Sequence, residues 1–161
     1  MGRYLNSDMG FEEVRWRISR DISPDFLPSF DGTPVKCLLK DGTSLVRLIW
    51  VPTETVLEGV WWMPRKVFDQ LRNENNQAEH GSGRQLRTYI GQALSLPSAN
   101  YQLSVAEIEL VQPVYGWEGL AAPLFGRPGG SKQFYIPNLS EPGNPRHSLH
   151  ARVLRTYWLR F

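Results

Sequence analysis

"PVKCLLKDGTSLVRLIWVP", residues 34–52, holds two apolar runs on either side of Asp41-Gly42. An Asp-Gly pair between hydrophobic runs is a strong hairpin signal, because both residues tolerate the backbone angles of a tight turn. The stretch therefore predicts two neighbouring antiparallel strands, the second ended by Pro52.

Upstream, "FEEVRWRIS" (11–19) alternates Val14, Trp16 and Ile18 against Arg15, Arg17 and Ser19. That spacing predicts a strand with one apolar and one basic face. A short helix competes, since Phe11, Val14 and Ile18 also fit a helical stripe. "ISPDFLPSFDGTP" (22–34) carries three prolines and a glycine and reads as a loop.

Downstream, "WWMPRKVFDQLRNEN" (61–75) predicts a helix, with Pro64 in its first turn and Val67, Phe68 and Leu71 on one face. "RQLRTYIGQALSL" (84–96) predicts a second helix, with Leu86, Ile90 and Leu94 in one row. From Tyr101 the pattern turns to β. "YQLSVAEIELVQPV" (101–114) alternates Leu103 and Val105, then Ile108 and Leu110, as if through a bulge. "KQFYIPN" (132–138) and "HARVLRTYWLRF" (150–161) follow as strands. Strands, then helices, then strands imply an α+β fold with a mostly antiparallel twisted sheet and two short helices. The 161 residues, 41% of them hydrophobic, suit a single domain spanning 1–161.

Composition also limits function. A net charge of +2 is too small to imply nucleic acid, and none is expected as a partner. The N-terminus lacks an apolar signal-peptide core, and no run is long enough to span a bilayer. The expected location is the cytoplasm, or outside as a secreted effector, with no membrane contact. The single Cys37 has no disulfide partner and lies in an apolar run, so it reads as a small buried hydrophobe. His147 and His150 stand three apart without a third ligand nearby, and no metal site is expected.

"APLFGRPGGSKQF" (122–134) is the most distinctive segment. Gly126, Gly129 and Gly130 let the backbone take angles closed to other residues and let a ligand approach the main chain. The spacing matches neither phosphate-binding glycine motif. Read alone, the glycines fit a wide turn between two strands.

The full stretch "GLAAPLFGRPGGSKQF" resembles the NAD-glycohydrolase domain family typified by tuberculosis necrotising toxin. That family carries A-P-x-F-G-x-P-G-G-x-x-Q-[YF] near its C-terminus. Ala122, Pro123, Phe125, Gly126, Pro128, Gly129, Gly130, Gln133 and Phe134 fall in register with it. "AEIELVQPVYGWEG" before it looks like the family's preceding strand, and "GRYL" at residues 2–5 is a fainter echo. The likeness covers residues 105–137. It implies an ADP-ribosyltransferase-like fold, an activity on NAD as substrate with no further cofactor, and a toxin or effector context with an immunity protein as partner. ADP-ribosyl transfer is the near variant.

The chemistry suits such residues. Breaking the nicotinamide–ribose bond develops oxocarbenium character on the ribose, as in glycoside hydrolysis. Nicotinamide leaves as a neutral group, so the protein mainly holds the sugar with donors and acceptors already in place. The resemblance nominates Gln133 as the catalytic residue; its amide offers an acceptor and donors to ribose hydroxyls. Gly129 and Gly130 would admit the nicotinamide end, and Phe125 or Phe134 would stack on its ring. Arginine suits the pyrophosphate, with Arg15 and Arg17 the first candidates and Arg3, Arg65 and Arg127 behind them. Glu107 and Glu109 share one strand face and read as a surface pair. The competing expectation is a non-enzymatic interaction module in which Gln133 is an ordinary strand-end residue.

Overall fold

The computed structural model describes residues 3–21, 30–49, 56–77, 104–121 and 130–158. Along them run α1 (Phe11–Asp21), β1 (Phe30–Leu39), β2 (Ser44–Ile49), a 3₁₀ turn (Val56–Glu58), β3 (Trp61–Pro64), α2 (Arg65–Gln77), β4 (Ser104–Leu110), β5 (Val114–Ala121), β6 (Lys132–Tyr135) and β7 (Ala151–Trp158). The strands form one seven-stranded sheet, ordered β1-β5-β6-β3-β2-β4-β7 and antiparallel throughout. With its helices this is the α+β fold that the sequence implies. The helix expected at 84–96 lies outside the described residues.

β1 and β2 are the runs around Asp41-Gly42, but they do not pair with each other. The hairpin expectation is overturned: β1 pairs with β5, and β2 with β3 and β4. Leu39 faces Val114; five residues on, Ser44 faces Glu109, five residues back. Residues 35–49 and 104–118 therefore make one antiparallel ribbon in one register, bent where β1 passes into β2 and β4 into β5. Gly42 takes a φ of 84° at the bend, an angle costly for any residue with a Cβ. Its N–H donates to the Leu110 carbonyl at 2.7 Å, and the Leu110 N–H donates to the Thr43 carbonyl at 2.9 Å. Asp-Gly does build a tight turn, but the partner strand turns with it.

That corner forces the sheet to curl. In a flat sheet β1 and β2, four places apart, would stand about 19 Å from each other at ~4.8 Å per strand. The turn from Lys40 to Thr43 is closed by a 3.2 Å backbone bond, and such a turn keeps its ends within about 7 Å. One apolar cluster fills the concave face, with Leu45, Ile49, Trp62, Ala106, Ile108, Leu110, Val114, Phe134 and Ala151 contributed by β2 to β7.

The helices cover the opposite, convex face. Residues 11–19 begin a helix and not a strand. Val14 is fully buried while Trp16 is 59% exposed, which two residues on one face of a strand would not be. Glu12 and Glu13 lie in the first turn, where carboxylates favour the helix dipole, and Glu13 pairs with Arg17 one turn on. Val14 packs with Trp117 and Tyr135. Pro64 ends β3, and α2 starts directly after it. Phe68 and Leu71 of α2 close over Val46, Leu48, Met63 and Val105.

β4 is buried on both faces, which explains its interrupted alternation. The bulge lies in its partner: Glu107 faces Arg155 but Ile108 faces Val153, leaving Leu154 as the extra residue. Residues 148–150 brace the corner. The His150 carbonyl accepts the Val111 and Gln112 N–H groups at 2.8 and 3.4 Å. The Ser148 hydroxyl accepts the His150 and Ala151 N–H groups at 2.9 and 3.1 Å. Burial lowers the His150 pKa from 6.5, against a smaller opposing pull from Glu141.

Two outcomes follow for stability. Gly42→Ala should cost about 1–2 kcal/mol in urea unfolding, whereas Gly10→Ala, with open space and no positive φ, should change it far less. His150 binds its proton less readily folded than unfolded, so its contribution is complete above pH 6.5 and is lost as pH falls below that value. Melting temperature measured from pH 8 to 5 should fall less steeply for His150→Gln than for the parent.

Candidate functional site

β6 joins the two halves of the sheet. It pairs with β5 over four residues, but with β3 only through Trp61↔Tyr135 and Trp62↔Phe134. Gln133 stands next to this short seam. Strand alternation puts Gln133 and Tyr135 on the convex, helix-covered face and Phe134 on the concave one. Gln133 is 4% exposed.

The register gives its neighbours. Gly119 of β5 lies opposite on one side. Continuing the β3–β6 register puts Met63 opposite on the other. Met63 faces Val46, Val46 faces Glu107, and Glu107 faces Arg155. Gln133 and Glu107 thus belong to one row across one face.

Gln133 stands between Gly119 and Met63, and the next row is aromatic, with Trp117, Tyr135 and Trp61. A Cβ on Gly119 would come within 2.5 Å of the Phe30 ring, so glycine there makes room for that ring. The Phe30 and Trp61 centroids are 5.3 Å apart, and Trp61 and Tyr135 5.1 Å. Gly130, with a φ of 94°, donates its N–H to the Ala121 carbonyl at 2.8 Å and leads the chain into β6. The arrangement fixes one nearly buried carboxamide on a rigid strand, between Gly119 and Met63 and beside a row of rings. It can orient hydroxyls or a ring amide and keep water away.

Other nominated residues are placed differently. Phe134 is 6% exposed and packs in the concave core, on the far side of the strand from Gln133. Phe125, Gly129 and Arg127 lie outside the described residues. Arg15 is exposed on α1, with Glu12 at 3.9 Å. Arg17, also on α1 and not on a strand, donates to Glu13 at 3.0 Å and to Asn138 at 3.4 Å.

Arg17 and Arg3 line an open groove of about 770 Å³ between residues 3–9, α1 and residues 138–150. Neither Gln133 nor Arg15 lines it. Asn6 and Asn138, with φ of 65° and 68°, meet across it through a 3.0 Å hydrogen bond. Arg3 pairs with Asp8 at 2.7 Å.

Two features escape the sequence reading. Glu107 is no surface residue: it is 1% exposed and paired with both Arg65 and Arg155, while Glu109 holds Arg152 at 3.0 Å. Its signal was the apolar flanks Val105, Ala106 and Ile108, which mark a strand buried on both sides. Arg47 sits on the concave face, 5.5 Å from the Trp62 ring centre, donating to the Val56 carbonyl at 3.3 Å. Its guanidinium occupies the space that a Cβ on Gly59 would take. Cys37 is half-buried, and burial with Glu118 nearby raises its thiol to about 11, so it is inert at neutral pH. His147 pairs with Glu141 at 3.1 Å. The described residues hold no group of three or more metal-ligating side chains, and no helix long and apolar enough to cross a membrane.

No family model and no curated relative matches the chain. Solved structures do share the fold. Rhs1-CT, solved in complex with its cognate immunity protein RhsI1, superposes with a TM-score of 0.55 at 14% identity, over 82% of this chain and 86% of that one. Tne2, solved in complex with Tni2, superposes with a TM-score of 0.54 at 12% identity, over 83% and 98%. At these identities the likeness is one of fold: this chain has the architecture of Rhs1-CT and Tne2.

Proposed function

We propose that this chain is a toxin-type effector domain that hydrolyses NAD to nicotinamide and ADP-ribose, with Gln133 holding the nicotinamide ribose. The observation that carries the reading is the position of Gln133, fixed on β6 between Gly119 and the β3 seam and preceded by the positive-φ Gly130. The motif resemblance over residues 105–137 and the fold shared with Rhs1-CT, itself solved with an immunity protein, support it. A cognate immunity protein is the partner this reading implies. ADP-ribosyl transfer to a macromolecule would use the same bond cleavage with a different acceptor.

Rate enhancement would come from positioning. A carboxamide pre-set against the ribose hydroxyls holds the sugar while the C–N bond lengthens, and aromatic walls keep bulk water from competing for the amide. Nicotinamide departs with the bonding electron pair as a neutral base, and water adds to the sugar cation and loses a proton. The burial of Gln133 sets a condition: a sugar reaches the amide only if the chain around it gives way. The same burial favours a second reading, an interaction module in which Gln133 is structural.

Incubation with NAD and with an etheno analogue, following nicotinamide release, separates the two. Turnover should appear in the parent and fall about 100-fold or more in both Gln133→Ala and the near-isosteric Gln133→Met. Gln133→Met should lower the melting temperature less than Gln133→Ala, because it keeps the buried volume. Undiminished turnover in Gln133→Met removes Gln133 from the site. No turnover, and no rise in melting temperature with NAD, leaves the interaction module.

A further inference from the structure

We propose that Trp61 is the ring that receives the nicotinamide end of the substrate, an assignment that rests on the hydrolase reading above. The sequence offers two adjacent tryptophans, and β3 sends them to opposite faces. Trp62 is 2% exposed in the concave core, with its indole N–H on the Gly59 carbonyl at 3.1 Å. Trp61 lies on the convex face, the face of Gln133, and is only partly buried.

Register fixes its relation to Gln133. Trp61 pairs with Tyr135, and Gln133 lies two residues before Tyr135 on the same strand. Such diagonal neighbours stand about 7–8 Å apart, within reach of an aromatic side chain. A ligand held by the Gln133 amide through its ribose would carry its ring into that space.

The other rings of the apolar cluster that Trp61 packs against are less suited. Phe134 faces away. Phe30, Trp117 and Tyr135 are 2%, 5% and 0% exposed. Trp61 alone among these keeps open surface. Its contacts with Phe30 and Tyr135 are tilted at 58° and 59°, so both hold the indole in place and neither stacks parallel to it.

The chemistry fits the substrate better than the product. In NAD the nicotinamide ring is a pyridinium cation, which an indole face attracts. After cleavage the ring is neutral and that attraction is gone. The contact therefore favours binding of the intact dinucleotide and release of the product. It does not favour the transition state, where the charge is already moving to the sugar, so its loss should raise KM and kcat together and leave kcat/KM nearly unchanged.

The test uses two probes. The first is 1-methylnicotinamide, a ring-methylated pyridinium with no glycosidic bond to cleave, titrated against tryptophan fluorescence with neutral nicotinamide as the control. Saturable quenching is expected with the cation and weaker quenching with nicotinamide. It should be lost in Trp61→Leu and in the better-packed Trp61→Phe, but kept in Trp16→Phe, which removes an exposed tryptophan on α1. The second is NAD turnover, where Trp61→Phe should raise KM about 5- to 10-fold, with kcat rising alongside it and kcat/KM within about twofold of the parent. Quenching that persists in both Trp61 variants, or parental KM in Trp61→Phe, overturns the assignment. Trp61-dependent quenching without turnover in the parent overturns the hydrolase reading and keeps Trp61 as a pyridinium-binding ring.

Discussion

The fold depends on one bend. Two segments distant in sequence pair from Val35↔Glu118 to Leu39↔Val114 and from Ser44↔Glu109 to Ile49↔Ser104, and the ribbon they make turns a corner between the two runs without changing register. The left-handed Gly42, its bond to Leu110 and the brace from His150 hold that corner. Everything else answers to it. The concave face must be filled, and the Trp62–Phe134–Leu110 cluster fills it. The convex face must be covered, and α1 and α2 cover its two halves. The remaining gap between the halves is closed by β6 and β3, joined through two residue pairs.

The candidate site lies at that seam. Catalytic groups are often held on rigid elements by neighbours that have no other freedom. The proposed role gives Gln133 such a setting: a central strand residue with glycine on one side, methionine on the other and a row of rings beside it. The buried Glu107, bridging Arg65 at the head of α2 and Arg155 on β7, anchors the far end of the same row. A buried carboxylate with two guanidinium partners is costly to assemble and costly to break. It therefore gives α2 one position over the sheet.

Much of this was legible in the residues, and the failures have physical causes. The α+β class followed from the order of patterns. Asp41-Gly42 correctly marked a turn, but turn chemistry is local and does not say which strands pair beyond it. Residues 11–19 fit two periods, and only the partner surface of Trp117 and Tyr135 chose the helical one. Gln133 was singled out by a motif, yet its place between β5 and β3 depends on strands that the motif does not contain. Phe134 seemed a natural companion to Gln133 because it is adjacent; adjacency in a strand means opposite faces. Trp61, far away in the chain, is the better neighbour because β3 and β6 are side by side.

The pairing of Phe30 with Ala121 has a consequence for when this protein can act. Gln133 acquires its surroundings only after the early and late parts of the chain have met, and contacts of such high sequence separation form late and slowly. A nascent, stretched or partly unfolded chain carries the glutamine but not the place for it. Any chemistry that needs Gln133 in its place waits, by the same topology, until β1, β3, β5 and β6 have come together.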